Sequence, residues 1–348
     1  MNPKNRILSR LRQRILILDG AMGTELQKRG LPAGVCPEAW CLDHPAATEE
    51  IHTAYREAGS DIVYTATFGA NRLKMGLYGL TNVRDTNRKL AEIAVRAAGM
   101  DFVAGDIGPT GRFVEPFGDL PFEEAVAIFR EQAQGLLEGG VDLFVIETMM
   151  DIQEARAALI AVREVCDHFC MVTMTYEKHG RTLNGTDPVS ALTTLQSLGA
   201  DAVGCNCSAG PEGMIGLISA MKPHAAVPLV AKPNAGLPQL IDGKTVFDLD
   251  ADGFADFGGA FAAAGVNLMG GCCGTTPAHL RALRDSLTSE KPVAPLSRPT
   301  AAVSSARHTV VLEKGGSVTL IGGRMDATVN RELHQGLLTQ DAAQARQS

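Results

Sequence analysis

The chain has 348 residues, 45% of them apolar and 20% charged, with a net charge of −7 and a pI of about 5.7. That balance is ordinary for a globular enzyme and leaves no basic footprint for nucleic acid. No run approaches the ~20 apolar residues of a membrane span, and residues 1–14 are basic without a secretory apolar core, so a cytoplasmic location is expected.

Apolar, β-rich runs recur at residues 15–19, 61–68, 101–106, 141–148, 170–176, 200–207, 228–233 and 266–272. Most are nearly continuous in apolar residues, as strands buried on both faces are. Helical patterns lie between them at 82–99, 121–139, 151–166, 188–198, 211–222 and 248–264, and a last one follows at 276–287. Pro121 and the Gly139-Gly140 pair bound the second of these, and Asp151 suits the N-cap of the third. Strand–helix alternation implies a parallel sheet. Eight evenly weighted units predict an α/β fold, a (β/α)8 TIM barrel with a short C-terminal extension. The rival is a doubly wound open sheet, and no Gly-x-Gly-x-x-Gly follows the first strand to favour it. The long first connection, 21–50, carries Cys36, Trp40 and Cys41 and is placed as a flap over one barrel end. The barrel is assigned to residues 1–290. Residues 291–309 are rich in Pro, Ser, Thr and Ala and read as a linker. Residues 310–348, with a strand-like run at 318–321 and a helix near 330–338, are too few for a second sizeable core.

In such a barrel the active site lies at the C-terminal ends of the strands. Polar residues gather there: Asp19, Thr67 and Asn71, Asp106, Glu147, Asn206 and Cys207, Asn234, Cys272 and Cys273. Eight cysteines without an export signal read as reduced thiols rather than four disulfides. Gly204-Cys205-Asn206-Cys207 and Gly270-Gly271-Cys272-Cys273-Gly274 end the sixth and eighth strands, whose axes lie about 10 Å apart. Three thiolates converging from those ends would hold zinc with one open position, as a catalytic site requires. Adjacent Cys272 and Cys273 would face opposite ways in a regular strand, but the flanking glycines allow a bend. Cys205 is read as a core residue one layer deeper. Buried structural cysteines and a vicinal disulfide are the other readings of the pattern.

Seven segments carry a family resemblance: residues 18–24 (Leu-Asp-Gly-Ala-Met-Gly-Thr), 67–71 (Thr-Phe-Gly-Ala-Asn), 105–109 (Gly-Asp-Ile-Gly-Pro), Glu147-Thr148, 204–207, 233–236 (Pro-Asn-Ala-Gly) and 271–277 (Gly-Cys-Cys-Gly-Thr-Thr-Pro). Together they resemble the zinc-dependent homocysteine S-methyltransferases, and among these the homocysteine-binding module of cobalamin-dependent methionine synthase. The resemblance covers residues 15–287. It implies one Zn2+ bound by Cys207, Cys272 and Cys273, and transfer of a methyl group to the thiol of L-homocysteine to give methionine. It also implies Asp19 and Glu147 near the substrate ammonium, and the backbone N–H groups of Gly20, Ala21, Met22, Gly23 and Thr24 near its carboxylate. Asn206 would orient the turn or the ligand. Asn234 is a candidate oxygen ligand while substrate is absent, and Thr67, Asn71 and Asp106 are candidates for support around the site.

The family uses a methyl-corrinoid, S-methylmethionine or betaine as donor. No histidine of this chain sits in an Asp-x-His-x-x-Gly motif, so methylcobalamin or another methyl-corrinoid would arrive on another domain or protein. Residues 319–326 (Thr-Leu-Ile-Gly-Gly-Arg-Met-Asp) are similar to the segment opening the folate-binding barrel of methionine synthase, with Gly323 where that module has an acid. Two readings from other classes stand beside the enzyme: a non-catalytic zinc- or thiol-binding module, and a redox sensor built on Cys272 and Cys273. Neither needs an amino-acid pocket such as Asp19 and Glu147 would form.

Overall fold

The computed structural model describes residues 2–208, 210–241, 244–312, 335–336 and 339. Helix α1 (Pro3–Leu11) precedes the first strand, β1 (Leu16–Ile17). Three helices follow: α2 (Met22–Lys28), α3 (Pro37–Asp43) and α4 (Pro45–Ala58). The units β2 (Ile62–Tyr64) with α5 (Arg72–Gly76) and α6 (Val83–Ala98), β3 (Phe102–Ile107) with α7 (Phe122–Glu138), and β4 (Leu143–Met149) with α8 (Ile152–Val165) come next. Then come β5 (Phe169–Met174) with α9 (Pro188–Ser197), β6 (Ala202–Asn206) with α10 (Pro211–Met221), and β7 (Leu229–Lys232). A hairpin, β8 (Pro238–Ile241) and β9 (Lys244–Phe247), leads to α11 (Ala251–Ala255) and α12 (Gly258–Ala264), and β10 (Val266–Met269) with α13 (Pro277–Ser286) completes the eighth unit.

Eight parallel strands form one sheet in the order β1-β10-β7-β6-β5-β4-β3-β2, and a parallel bridge from Leu18 to Ile62 joins its two edges. That is the expected (β/α)8 barrel. Side chains alternate between two layers, as strand geometry dictates. Leu16, Leu18, Ile62, Tyr64, Phe102, Ala104, Leu143, Val145, Phe169, Met171, Ala202, Val230 and Leu268 fill the barrel interior with Ile7 and Leu11 of α1. Residues of opposite parity, such as Val63, Val103, Phe144, Ile146, Val203, Cys205 and Ala231, pack outward against the helices. Among the described residues no helix is long and apolar enough to cross a membrane.

Several expectations change in detail. Most strands are shorter than their apolar runs, which continue into the flanking loops at one or both ends, while β3 is as long as its run. The helix expected over 248–264 is two helices, α11 and α12, broken just before the Gly258-Gly259 pair. The β8–β9 hairpin was not expected, although Asp242-Gly243 is a dipeptide that two-residue hairpin turns favour. The first connection, placed as a flap over one barrel end, is largely helical, and Met22, Gly23, Thr24, Pro37 and Glu38 from it lie at the C-terminal mouth.

By compactness the chain divides into Met1–Val310 and Val311–Ser348. The segment read as a linker lies against the barrel. The Leu296 N–H donates to the Ala225 carbonyl at 2.8 Å, Asn267 donates to the Val293 carbonyl at 2.8 Å, and Arg307 donates to the Asn184 carbonyl at 3.0 Å. The motif at 319–326 and the strand expected at 318–321 fall outside the described residues, as does most of the helix near 330–338.

Candidate metal centre and active site

Inward alternation continues above the apolar layers of the barrel. Two residues beyond Ala104, Val145 and Val230 stand Asp106, Glu147 and Lys232. With Asp19 they line a cavity of about 370 Å³ at the C-terminal mouth, and Cys207, Cys272 and Cys273 line it too. The rest of the wall includes residues 20–24, Pro37 and Glu38 of the first connection, Phe68, and Thr148.

The three cysteines reach this point because each lies just past a regular strand. By strict alternation Cys207 would face outward like Cys205, which is fully buried among the helices. Instead β6 stops at Asn206, and Cys207 turns with φ 53°. Cys272 and Cys273 sit on the turn beyond β10. A Cβ on Gly271 would lie 2.3 Å from the Thr275 hydroxyl oxygen, and Gly274 has φ +81°, so glycine is required at both places. Hydrogen bonds sew the turns to the end of β7: Cys207 N–H to the Lys232 carbonyl at 3.1 Å, and Cys272 N–H to the Pro233 carbonyl at 2.8 Å.

The Sγ atoms of Cys207 and Cys273 are 3.5 Å apart, and all three sulfurs lie within 4.8 Å of one another. Tetrahedral zinc with Zn–S of about 2.3 Å places its sulfurs roughly 3.8 Å apart, so this set fits that ion. Among the described residues no fourth His, Cys, Asp or Glu joins the group. Without a cation the three thiols cannot all ionise. Sulfur neighbours donating to Cys273 hold it down at about 3, while the same contacts and burial push Cys207 up.

The acids form the opposite chemistry. Asp19 is 2% exposed, and both of its oxygens are engaged: Lys232 Nζ donates to Oδ1 at 3.0 Å, and the Tyr64 N–H donates to Oδ2 at 2.6 Å. Burial raises its pKa, against the pull of Lys232. Lys232 is itself 3% exposed and lies 3.5 Å from the centre of the Tyr64 ring. Burial opposes its charge, yet Asp19 and the other acids hold the ammonium well above its ordinary range. Burial lifts Glu147 to about 8, and burial with the neighbouring Glu147 charge lifts Asp106 well above the carboxylate range. Glu147 Oε2 and Asp106 Oδ1 are buried with no hydrogen-bond partner.

The other expected residues separate into those on the wall and those behind it. Residues 20–24 line the cavity, α2 starts there without a side-chain cap, and the Thr24 hydroxyl is buried without a partner. Asn206 does not line the cavity. Its Oδ1 accepts from the Thr148 N–H and the Thr173 hydroxyl, both at 2.8 Å, and its Nδ2 donates to the Thr148 hydroxyl at 2.7 Å. Asn234 Oδ1 accepts the Cys273 N–H at 3.1 Å, so it braces the cysteine turn. Thr67 donates to the Asp106 carbonyl at 2.7 Å, and Asn71 caps α5. Sequence reasoning missed Lys232, Tyr55 and Thr275. Thr275 Oγ1 accepts from Ala21 N–H at 3.2 Å and donates to the Cys272 carbonyl at 2.7 Å, and Tyr55 donates to the Ala21 carbonyl at 2.9 Å. These contacts tie the 20–24 turn to the cysteines.

Comparison with known proteins agrees with this geometry. Residues 16–287 match the family model described as homocysteine S-methyltransferase. The chain is 32% identical to the methionine synthases of Mycobacterium tuberculosis and Mycobacterium leprae over 96% of its own length. It spans about 30% of the length of those relatives. The metallated form of the homocysteine methyltransferase MmuM from Escherichia coli superposes with a TM-score of 0.68 at 27% identity, over 82% of this chain and 99% of that one. Its oxidized form gives 0.69 at 26% identity. The match to the family model covers the whole barrel with both cysteine turns, and the chain belongs to the homocysteine S-methyltransferase family.

Proposed function

We propose that this barrel methylates the thiol of L-homocysteine to give methionine, with Zn2+ held by Cys207, Cys272 and Cys273. One observation carries the reading: three cysteine sulfurs within 4.8 Å of one another share a cavity with buried acids. A zinc store or a thiol switch has no use for such a wall. Bound there, zinc supplies a Lewis acid that keeps a fourth sulfur as thiolate at neutral pH. The chain's own residues position the amino-acid end. The acidic wall of Asp19 and Glu147 faces the ammonium. The backbone N–H groups of the 20–24 turn, apart from that of Ala21, which Thr275 accepts, and the unpartnered Thr24 hydroxyl face the carboxylate. In the transfer the thiol releases its proton to solvent and its sulfur bonds to the methyl carbon. The carrier–methyl bond breaks, and its electron pair stays with the carrier.

The donor is a methyl-corrinoid carried by another domain or protein. Likeness to methionine synthases over 96% of the chain, past the end of the barrel, supports that choice over S-methylmethionine. Free thiols suit a reducing, cytoplasmic setting. X-ray absorption on zinc-loaded protein is expected to show three sulfurs around the metal, and four after homocysteine is added. Full zinc occupancy in Cys207→Ser overturns the ligand assignment. Faster turnover with S-methylmethionine than with methylcobalamin overturns the donor.

A further inference from the structure

We infer that Thr275 is a positioning residue that couples the metal turn to the amino-acid half of the cavity, so that zinc and the amino-acid end of the substrate bind cooperatively. The inference rests on the reading of this cavity as a homocysteine site, and it adds a link between the two halves of that site.

Thr275 is fully buried and stands behind the cavity wall, so it acts only through its neighbours. Its hydroxyl joins two segments that are distant in sequence. It donates to the Cys272 carbonyl at 2.7 Å and accepts the Ala21 N–H at 3.2 Å. The Tyr55 hydroxyl holds the other end of Ala21. It donates to the Ala21 carbonyl at 2.9 Å and lies 3.2 Å from the Thr275 carbonyl. A second tie runs from the Gly271 N–H to the Asp19 carbonyl at 3.1 Å. Asp19 and Ala21 belong to the substrate side, Cys272 and Cys273 to the metal side, and all four line one cavity.

These contacts leave no slack. A Cβ on Gly20 would lie 2.7 Å from the Thr275 hydroxyl oxygen, and one on Gly271 would lie 2.3 Å from it. Both backbones press on one hydroxyl, and in a close-packed interior a shift of either must be passed to the other. The three cysteines sit on turns, outside the strand ladder, and a thiol is only a weak hydrogen-bonding group. Joining their sulfurs to one cation therefore orders the turn that carries them, as metal binding generally orders the chain around a site. Thr275 hands that order to residues 19–21. A ligand that needs those residues in place then loses less entropy on binding, which is positive cooperativity, and linkage makes the effect equal in both directions.

The test uses norvaline, which carries a methyl group where homocysteine carries its thiol and so cannot ligate the metal. Its dissociation constant is measured by calorimetry on reduced metal-free protein and on zinc-loaded protein. The zinc dissociation constant is measured by chelator competition with and without norvaline. In the wild type each ligand should tighten the other by the same factor, about fivefold or more. Thr275→Val keeps the branched shape, loses both hydrogen bonds of the hydroxyl and should bring the factor below about twofold. Thr275→Ser keeps the hydroxyl and should retain the coupling. Tyr55→Phe frees the Ala21 carbonyl, leaves the Thr275–Cys272 bond intact and should also weaken the coupling; it decides alone if Thr275→Val does not fold. A wild-type factor below about twofold, failure of norvaline to bind included, overturns the inference. So does coupling kept in full by Thr275→Val and Tyr55→Phe. Homocysteine held no more tightly than norvaline by zinc-loaded wild type would overturn the homocysteine reading instead, whatever the factor.

Discussion

Thr148 and Cys207 both hold φ in the left-handed region, at 61° and 53°. A β-branched residue there is a genuine outlier, and such strain persists only where neighbours over-determine it. Asn206 is the neighbour. It directly precedes Cys207 in the chain, accepts the Thr148 N–H at 2.8 Å and donates to its hydroxyl at 2.7 Å. It thereby fixes the turn after Glu147 and the exit of β6 into Cys207. Asn206→Ala leaves a buried N–H and two hydroxyls without their partner, and should lower the unfolding free energy by about 2–3 kcal/mol in urea. Homocysteine KM should rise several-fold while zinc content holds. Zinc lost with KM unchanged would show that Asn206 serves the metal turn alone. Cysteine chemistry was legible from sequence because thiols grouped with glycines at strand ends have few other uses. Lys232 was not, because a lysine is read as exposed. Its signal was parity: it stands two residues after inward Val230 in a run of apolar residues. Thr275 with Ala21, 254 residues apart, had no local signal at all.

At the scale of elements, the N-terminus of α8 shows how a helix holds the loop after β3. Asp151, expected as its N-cap, accepts from the Gln153 N–H at 2.9 Å and also from the Val114 N–H at 3.0 Å. Glu154, one turn in and 3% exposed, accepts from the Thr110 N–H at 2.7 Å and the Thr110 hydroxyl at 2.6 Å. The cap was readable because Asp before an apolar helical run is a local pattern. The tether was not, because it joins the loop after β3 to a helix that packs there only in the folded chain. Burial lifts Glu154 from an ordinary 4.5 to about 7 despite those bonds. A raised carboxyl pKa means that the folded state binds the proton more tightly. The stability it confers is full below about pH 4.5 and is lost as pH rises through about 7. Glu154→Gln keeps an acceptor for Thr110 and removes the titration. The variant should match wild type near pH 4.5 and exceed it above pH 7 by up to about 3 kcal/mol. Melting temperatures followed across that range check this, and parallel curves for the two proteins would sink it.

At the scale of the molecule, the barrel has a closed end and an open one. The basic N-terminal residues supply the closure. Helix α1 buries Ile7 completely and Leu11 almost so against Leu16, Ile62, Phe102 and Phe169 in the interior cluster. Its Arg6 and Arg10 each place a guanidinium 4.8 Å from the centre of the Phe102 ring, and Arg10 and Arg14 pair with Asp61. The sequence pattern for this plug was present as Ile7 and Leu11, one helical turn apart. Every residue assigned to the chemistry lies at the other end, within or just past the last turns of the strands. Barrels of this kind separate stability from catalysis by face, and the packed layers between decide how well. Ile7→Ala tests the separation. Truncating a fully buried isoleucine should cost about 2–5 kcal/mol, since the plug can collapse only partly into the space. Homocysteine affinity of zinc-loaded protein should stay within twofold, because the apolar layers from Phe102 up to Ala104 and Val145 stand between the Ile7 plug and the wall of acids. If affinity instead falls in step with stability, the interior layers transmit the loss upward, and the plug belongs to the site as much as the strand ends do.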